Sequence, residues 1–92
     1  MDVLANGQIE AALQDLEGWS YDGDALVRTF RFADFVAAID FVDDVAEIAE
    51  TFAHHPDIDI RYNKVTLRCS THSAGGITAK DVELAGLVSA RV

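Results

Sequence analysis

Three stretches of the chain repeat apolar residues at helical spacing, and two pairs of stretches alternate them. Ile9, Leu13 and Leu16 share one side of a first helix, with Asn6 as its cap and Gly18 as its stop. Asp34 opens a long second helix. Its inner positions are Phe35, Ala38, Ile39, Val42, Val45, Ala46, Ala49 and Phe52. Pro56 disfavours helical geometry at His55, so this helix ends near His54. Thr78 caps a third helix and Asp81 stands at its third position, a variant of the capping box. Ile77 and Val82 hold the staple positions, and Val82, Ala85 and Val88 or Ser89 mark its inner face. Between the first two helices, Trp19-Ser20-Tyr21 precedes Asp22-Gly23-Asp24. An alternating run with Leu26, Phe30 and Phe32 in phase comes next. This predicts a β-hairpin with an Asp-Gly turn. Arg28 falls on the apolar phase, so it is partly covered or its end faces a pocket or partner.

The second hairpin carries more information. Ile58, Ile60 and Tyr62 alternate with Asp57, Asp59 and Arg61, and Val65, Leu67 and Cys69 alternate with Thr66, Arg68 and Ser70. A two-residue turn at Asn63-Lys64 makes Ile60 face Leu67, Ile58 face Cys69 and Asp59 face Arg68. Carried outward, that register sets Asp57 opposite Ser70 and His55 opposite His72, with His54 beside them. The order α-β-β-α-β-β-α predicts an α+β fold: a four-stranded antiparallel sheet with three helices packed on one face. Residues 1–92 suit a single domain.

Charge narrows the partners. Sixteen acidic and seven basic residues give a formal charge of -9, which disfavours direct nucleic-acid binding. Asp40, Asp43, Asp44 and Glu47 fill the outer faces of the second helix, as solvated surface or as a docking patch. The excess of Asp and scarcity of Lys suit a salt-tolerant surface or a simple compositional bias. Cys69 is alone, so neither an internal disulfide nor a cysteine-based metal site is expected. No leader pattern and no membrane-length apolar run is evident, so a soluble cytoplasmic protein is expected. A chain this short gains core by forming a homo-oligomer.

Three histidines brought together suit proton transfer. The unperturbed imidazole titrates near 6.5, so one can donate while another accepts. Dehydration needs that division of labour and no nucleophile or redox centre. Each residue also has a plainer explanation. His54 or His55 would favour a helix C-terminus, and His72 would be a strand-end residue. Three histidines could bind zinc, but adjacent residues in an extended segment point apart, so no metal is expected. Asp81 caps a helix. Glu50, one turn before His54, orients that imidazole or lies on solvated surface. Trp19 is core or a platform for substrate.

Glu50-x-x-x-His54-His55-Pro56, then Tyr62, His72 and Asp81 at their spacings, resembles the signature of the pterin-4a-carbinolamine dehydratases. The segment Thr71-His72-Ser73-Ala74-Gly75-Gly76-Ile77-Thr78-Ala79-Lys80-Asp81 is similar to that family's Thr-His, Gly-Leu-Thr and Asp pattern. Gly18-Trp19 and the run into Phe32 and Asp34-Phe35 fit as well, so the likeness spans nearly the whole chain. The departures are Ile77 for the usual Leu and Ser73 at a position that is often acidic.

The resemblance implies a cofactor-free hydro-lyase that dehydrates 4a-hydroxytetrahydropterin to quinonoid dihydropterin in tetrahydrobiopterin recycling. It implies catalytic roles for His54, His55 and His72, with Glu50, Pro56, Thr71, Asp81 and Trp19 supporting the pterin. It also implies a homodimer or homotetramer. The alternative it carries is a non-catalytic or dual-role binding protein, a transcriptional coactivator or assembly factor on the same fold.

Overall fold

The computed structural model describes residues 2–92. They form α1 (Asn6–Leu13), β1 (Ser20–Asp22), β2 (Ala25–Arg31), α2 (Phe35–Phe52), β3 (Asp57–Arg61), β4 (Lys64–Cys69) and α3 (Ala79–Ser89). The strands lie in the order β1-β2-β4-β3, and each neighbouring pair is antiparallel. Leu26 and Phe30 of β2 and Val65, Leu67 and Cys69 of β4 are buried, because alternate residues share one face of a strand. The helices cover that face: Ala38, Phe41, Val45, Ile48 and Ala49 of α2 and Leu84, Ala85 and Val88 of α3 complete one core. The expected α+β layout is the one found.

The helix faces differ in detail from the periodicity reading. Phe41, absent from the expected inner positions, packs on Phe30 and Phe32 at centroid distances of 4.6 and 5.0 Å. Phe35, expected inside, is 48% exposed, and Ala46 is exposed too. Helix α2 is apolar over a wide arc, so its repeat fits two inward faces. The rings of Phe30 on β2 and Phe32 just after it choose between them. In α3, Leu84 is buried where Val82 is half-buried. Helix α1 starts one residue before expectation. Ala5 is its cap and its N–H donates to Gln8 Oε1 at 2.8 Å. The helix ends at Leu13, ahead of Gly18.

Both hairpin turns are shifted. The first turns at Gly23 and Asp24, with Asp22 paired to Ala25 and Gly23 at φ 63°. The second turns at Tyr62 and Asn63, so Arg61 pairs with Lys64, Ile60 with Val65 and Ile58 with Leu67. That is a slip of two residues from the expected register. A two-residue slip leaves every side chain on its face, so alternation alone cannot detect it. Asn63 fixes the choice: its Nδ2 donates to the Phe32 carbonyl at 2.8 Å and its own carbonyl accepts from the Phe32 N–H at 2.9 Å.

The end of α2 sets up the site. Ala53 takes a left-handed conformation, φ 58° and ψ 37°. The Ala53 N–H reaches the Glu50 carbonyl and the His54 N–H reaches the Ala49 carbonyl. This is a Schellman ending, in which those two donors satisfy the last carbonyls. An L-residue in that conformation costs roughly 1–2 kcal/mol, partly offset against glycine by glycine's greater freedom when unfolded. Ala53→Gly is therefore expected to raise stability by about 0.5–1 kcal/mol, seen as a melting temperature a few degrees higher.

Candidate active site

Three segments meet at one end of the sheet. The Schellman ending projects His54 and His55 out of α2. Thr71, just past β4, pairs back to Gly76 across a tight loop, with Gly75 at φ 79°. That loop carries His72 and Ser73. The N-terminus of α3 then brings in Thr78 and Asp81. Ala53, His54, His55, Ser70, Thr71, His72 and Ser73 line an open cavity of about 280 Å³. All three histidines border it. They do so without the strand pairing expected of His55 and His72, since β3 begins only at Asp57 and β4 ends at Cys69.

Asp81 is the anchor. It is fully buried, and His54 Nε2 lies 2.6 Å from its Oδ1. Its Oδ2 accepts from the Thr71 hydroxyl at 2.8 Å and from the Thr78 N–H at 2.9 Å. Thr71 has one hydroxyl proton and gives it to Asp81. The Thr78 hydroxyl, 2.8 Å away, therefore donates to Thr71. Each hydrogen bond in the group thus has a forced direction. A carboxylate only accepts, so His54 presents Nε2–H to it. The capping box of α3 is complete and serves as the base of the site.

His55 is held differently. Its Nε2 lies 2.5 Å from Glu50 Oε2, with the two side chains 61% and 78% exposed. Glu50, read from its spacing as orienting His54 or as solvated surface, is exposed and meets His55 instead, because the left-handed Ala53 swings His54 toward α3. Solvent weakens this outer pair, whereas the buried Asp81 pair is shielded. His72 is exposed on its loop. Pro56 separates His55 from β3 and does not line the cavity.

Trp19 stands apart from the histidines. It is buried, packs edge-on against Phe30 at 6.1 Å, and its Nε1 donates to Ser89 Oγ at 2.8 Å. In this chain it is a core residue at the opposite end of α3. Sequence reasoning missed the hydroxyl of Thr78 as part of the site, and Ala53, Ser70 and Ser73 as its lining. The capping box was the signal available for Thr78. Among the described residues, no group of three His, Cys, Asp or Glu side chains has an arrangement that would hold a metal ion.

Cys69 lies under this end of the sheet and is fully buried. Burial first, and then the charges of Asp81 and Asp57, push its thiol from the ordinary 9.0 up to about 12. The folded thiol keeps its proton where the unfolded one loses it. Its contribution to stability is therefore complete below about pH 9 and declines as pH rises toward 12. At pH 8, iodoacetamide should modify Cys69 only in denaturant, which intact mass before and after unfolding will show.

Residues 2–90 match the family model described as pterin 4 alpha carbinolamine dehydratase. A Nocardia farcinica protein named "Putative pterin-4-alpha-carbinolamine dehydratase" is 54% identical over 84 residues, 91% of this chain and 88% of its own. A Thermomicrobium roseum protein of the same name is 54% identical over 85 residues, 92% of this chain and 91% of its own. The crystal structure of a transcriptional coactivator/pterin dehydratase from Brucella melitensis superposes with a TM-score of 0.91. It is 36% identical, and 97% of each chain is covered. A pterin dehydratase-like protein identified as a RuBisCO assembly factor in the alpha-carboxysome shares the fold, with a TM-score of 0.63 and 20% identity. That match covers 78% of this chain and 83% of its own. Matched along almost its whole length, this chain belongs to the pterin 4 alpha carbinolamine dehydratase family.

Proposed function

We propose that this protein is an active dehydratase, converting 4a-hydroxytetrahydropterin to quinonoid dihydropterin by histidine acid–base catalysis. The observation that carries the reading is the cavity bordered by three imidazoles, two of them held by carboxylates. In the reaction the C4a–O bond breaks. An imidazolium gives its proton to the departing hydroxyl, which leaves as water. A second imidazole takes the ring N–H proton, and that electron pair forms the new C=N bond. One proton is given and one is taken, so the site returns to its starting charge.

His55 and His72, the two exposed rings, share these transfers. His54, fixed by Asp81, binds and orients the pterin. Glu50, Thr71 and Asp81 support the rings. The chemistry needs no cofactor. The activity serves tetrahydrobiopterin recycling in the cytoplasm; among the described residues, no helix is long and apolar enough to cross a membrane. Residues 1–92 act as one domain within a homodimer or homotetramer. Exposed Ile58 and Ile60 on β3, Tyr62 in the turn after it, and Phe35 and Val36 on α2 are surfaces that suit self-association.

The test is the rate at which freshly generated 4a-hydroxytetrahydropterin loses water with and without the metal-free protein. Saturable acceleration is expected. A folded protein that gives none would sink the enzymatic reading. A protein-binding role, alone or beside catalysis, is the second reading. It is favoured by the likeness to the Brucella protein, which is named as both a transcriptional coactivator and a pterin dehydratase.

A further inference from the structure

A second cleft, of about 550 Å³, is lined by Asp15, Glu17, Gly18, Arg28, Ser89 and Val92. It shares no residue with the histidine cavity. Arg28 is built into its wall. The guanidinium carbon stacks 4.2 Å from the centroid of the Phe30 ring. A Cβ on Gly18 would lie 2.8 Å from Arg28 Nε, so the missing side chain makes room for the cation. Arg28 Nη1 donates to Ser89 Oγ at 3.4 Å, and that oxygen also accepts from Trp19 Nε1 at 2.8 Å. The Ser89 hydroxyl therefore has its own proton to give. Most of the guanidinium donors are unspent as well. Among the described residues, no carboxylate lies within 4 Å of Arg28, although Asp15 and Glu17 line the same cleft.

The cleft thus brings the donors of Arg28 and Ser89 together with two carboxylates. A simple anion would meet Asp15 and Glu17 in a chain of net charge -9. A simple cation would meet Arg28. We propose that this cleft is a second ligand site, for a small zwitterion of the amino-acid type. Its carboxylate lies against Arg28 and Ser89, and its ammonium lies against Asp15 and Glu17. This site is independent of the dehydration chemistry.

The chain has one tryptophan, so the Trp19 indole N–H is a single resonance and a reporter one hydrogen bond from the site. Glycine, acetate and methylamine are titrated separately into the full chain at constant ionic strength. Glycine is expected to shift that resonance saturably, with affinity at least about tenfold above acetate or methylamine. Arg28→Met should abolish the response. The Asp15→Asn/Glu17→Gln double variant changes only exposed side chains and should fold. It should weaken glycine by about tenfold and strengthen acetate. No saturable shift with glycine would overturn the proposal, since the exposed carboxylates would then simply close onto Arg28. Acetate binding as tightly as glycine, or a glycine response unchanged in the double variant, would overturn it too.

Discussion

Asp81→Ala is expected to lose roughly 3 kcal/mol of stability and most of the dehydration activity. The change orphans three donors at once: His54 Nε2–H, the Thr71 hydroxyl and the Thr78 N–H. A buried donor left unsatisfied costs about 1–3 kcal/mol, and water entering the space recovers part of the total. A domain with a stability of about 5–15 kcal/mol survives that loss. Asp81→Asn separates positioning from folding. The amide nearly keeps the carboxylate's shape, so the stability loss should stay near about 1 kcal/mol. It cannot accept from all three donors, however, and one orientation puts its NH₂ against His54. The ring then turns or changes tautomer, moving the proton to Nδ1. The rate should fall by about 10²–10⁴-fold. Urea denaturation and the dehydration assay, run on both variants, read the two effects. An Asp81→Asn enzyme of normal rate would show that the buried carboxylate does not position His54 for catalysis.

The His55→Ala/His72→Ala double variant should behave in the opposite way. Both rings are exposed, and the Glu50 partner of His55 is exposed as well. Little packing is lost, so stability should stay within about 0.5 kcal/mol of the wild type. The proton donor and the proton acceptor both go, and the rate should drop by about 10²–10⁴-fold, toward the uncatalysed reaction. The single variants should each cost nearly as much as the pair, because groups that act together are not additive. A double variant that keeps more than half the wild-type rate would move the proton transfers to His54.

The features legible in the sequence are those held by local interactions. Thr78 and Asp81 form a capping box within one turn, so composition at fixed spacing was enough to place the start of α3. The alternation of β2 and β4 declared which face is buried. The register of β3 against β4 was not declared, because Asn63 chooses it through a contact with Phe32, 31 positions away. The inward face of α2 was ambiguous for a like reason: Phe41 is selected by the rings of Phe30 and Phe32. Ala53 gave no sign at all. Alanine is a helix former, and the left-handed turn there belongs with the docking of His54 on Asp81, 27 positions away. That residue also redirects the histidines. It sends His54 to Asp81 and leaves His55 to Glu50, where spacing alone offered Glu50 either to His54 or to solvent. The three histidines were nonetheless found together, because the shift of register and the turn at Ala53 both keep them at the same end of the sheet.

The most direct measurement is the dehydration rate of freshly generated 4a-hydroxytetrahydropterin with metal-free wild type and the His55→Ala/His72→Ala variant side by side, both shown to be folded. The account predicts acceleration by the wild type that collapses in the variant. Equal rates from the two proteins, or no acceleration by either, would contradict it.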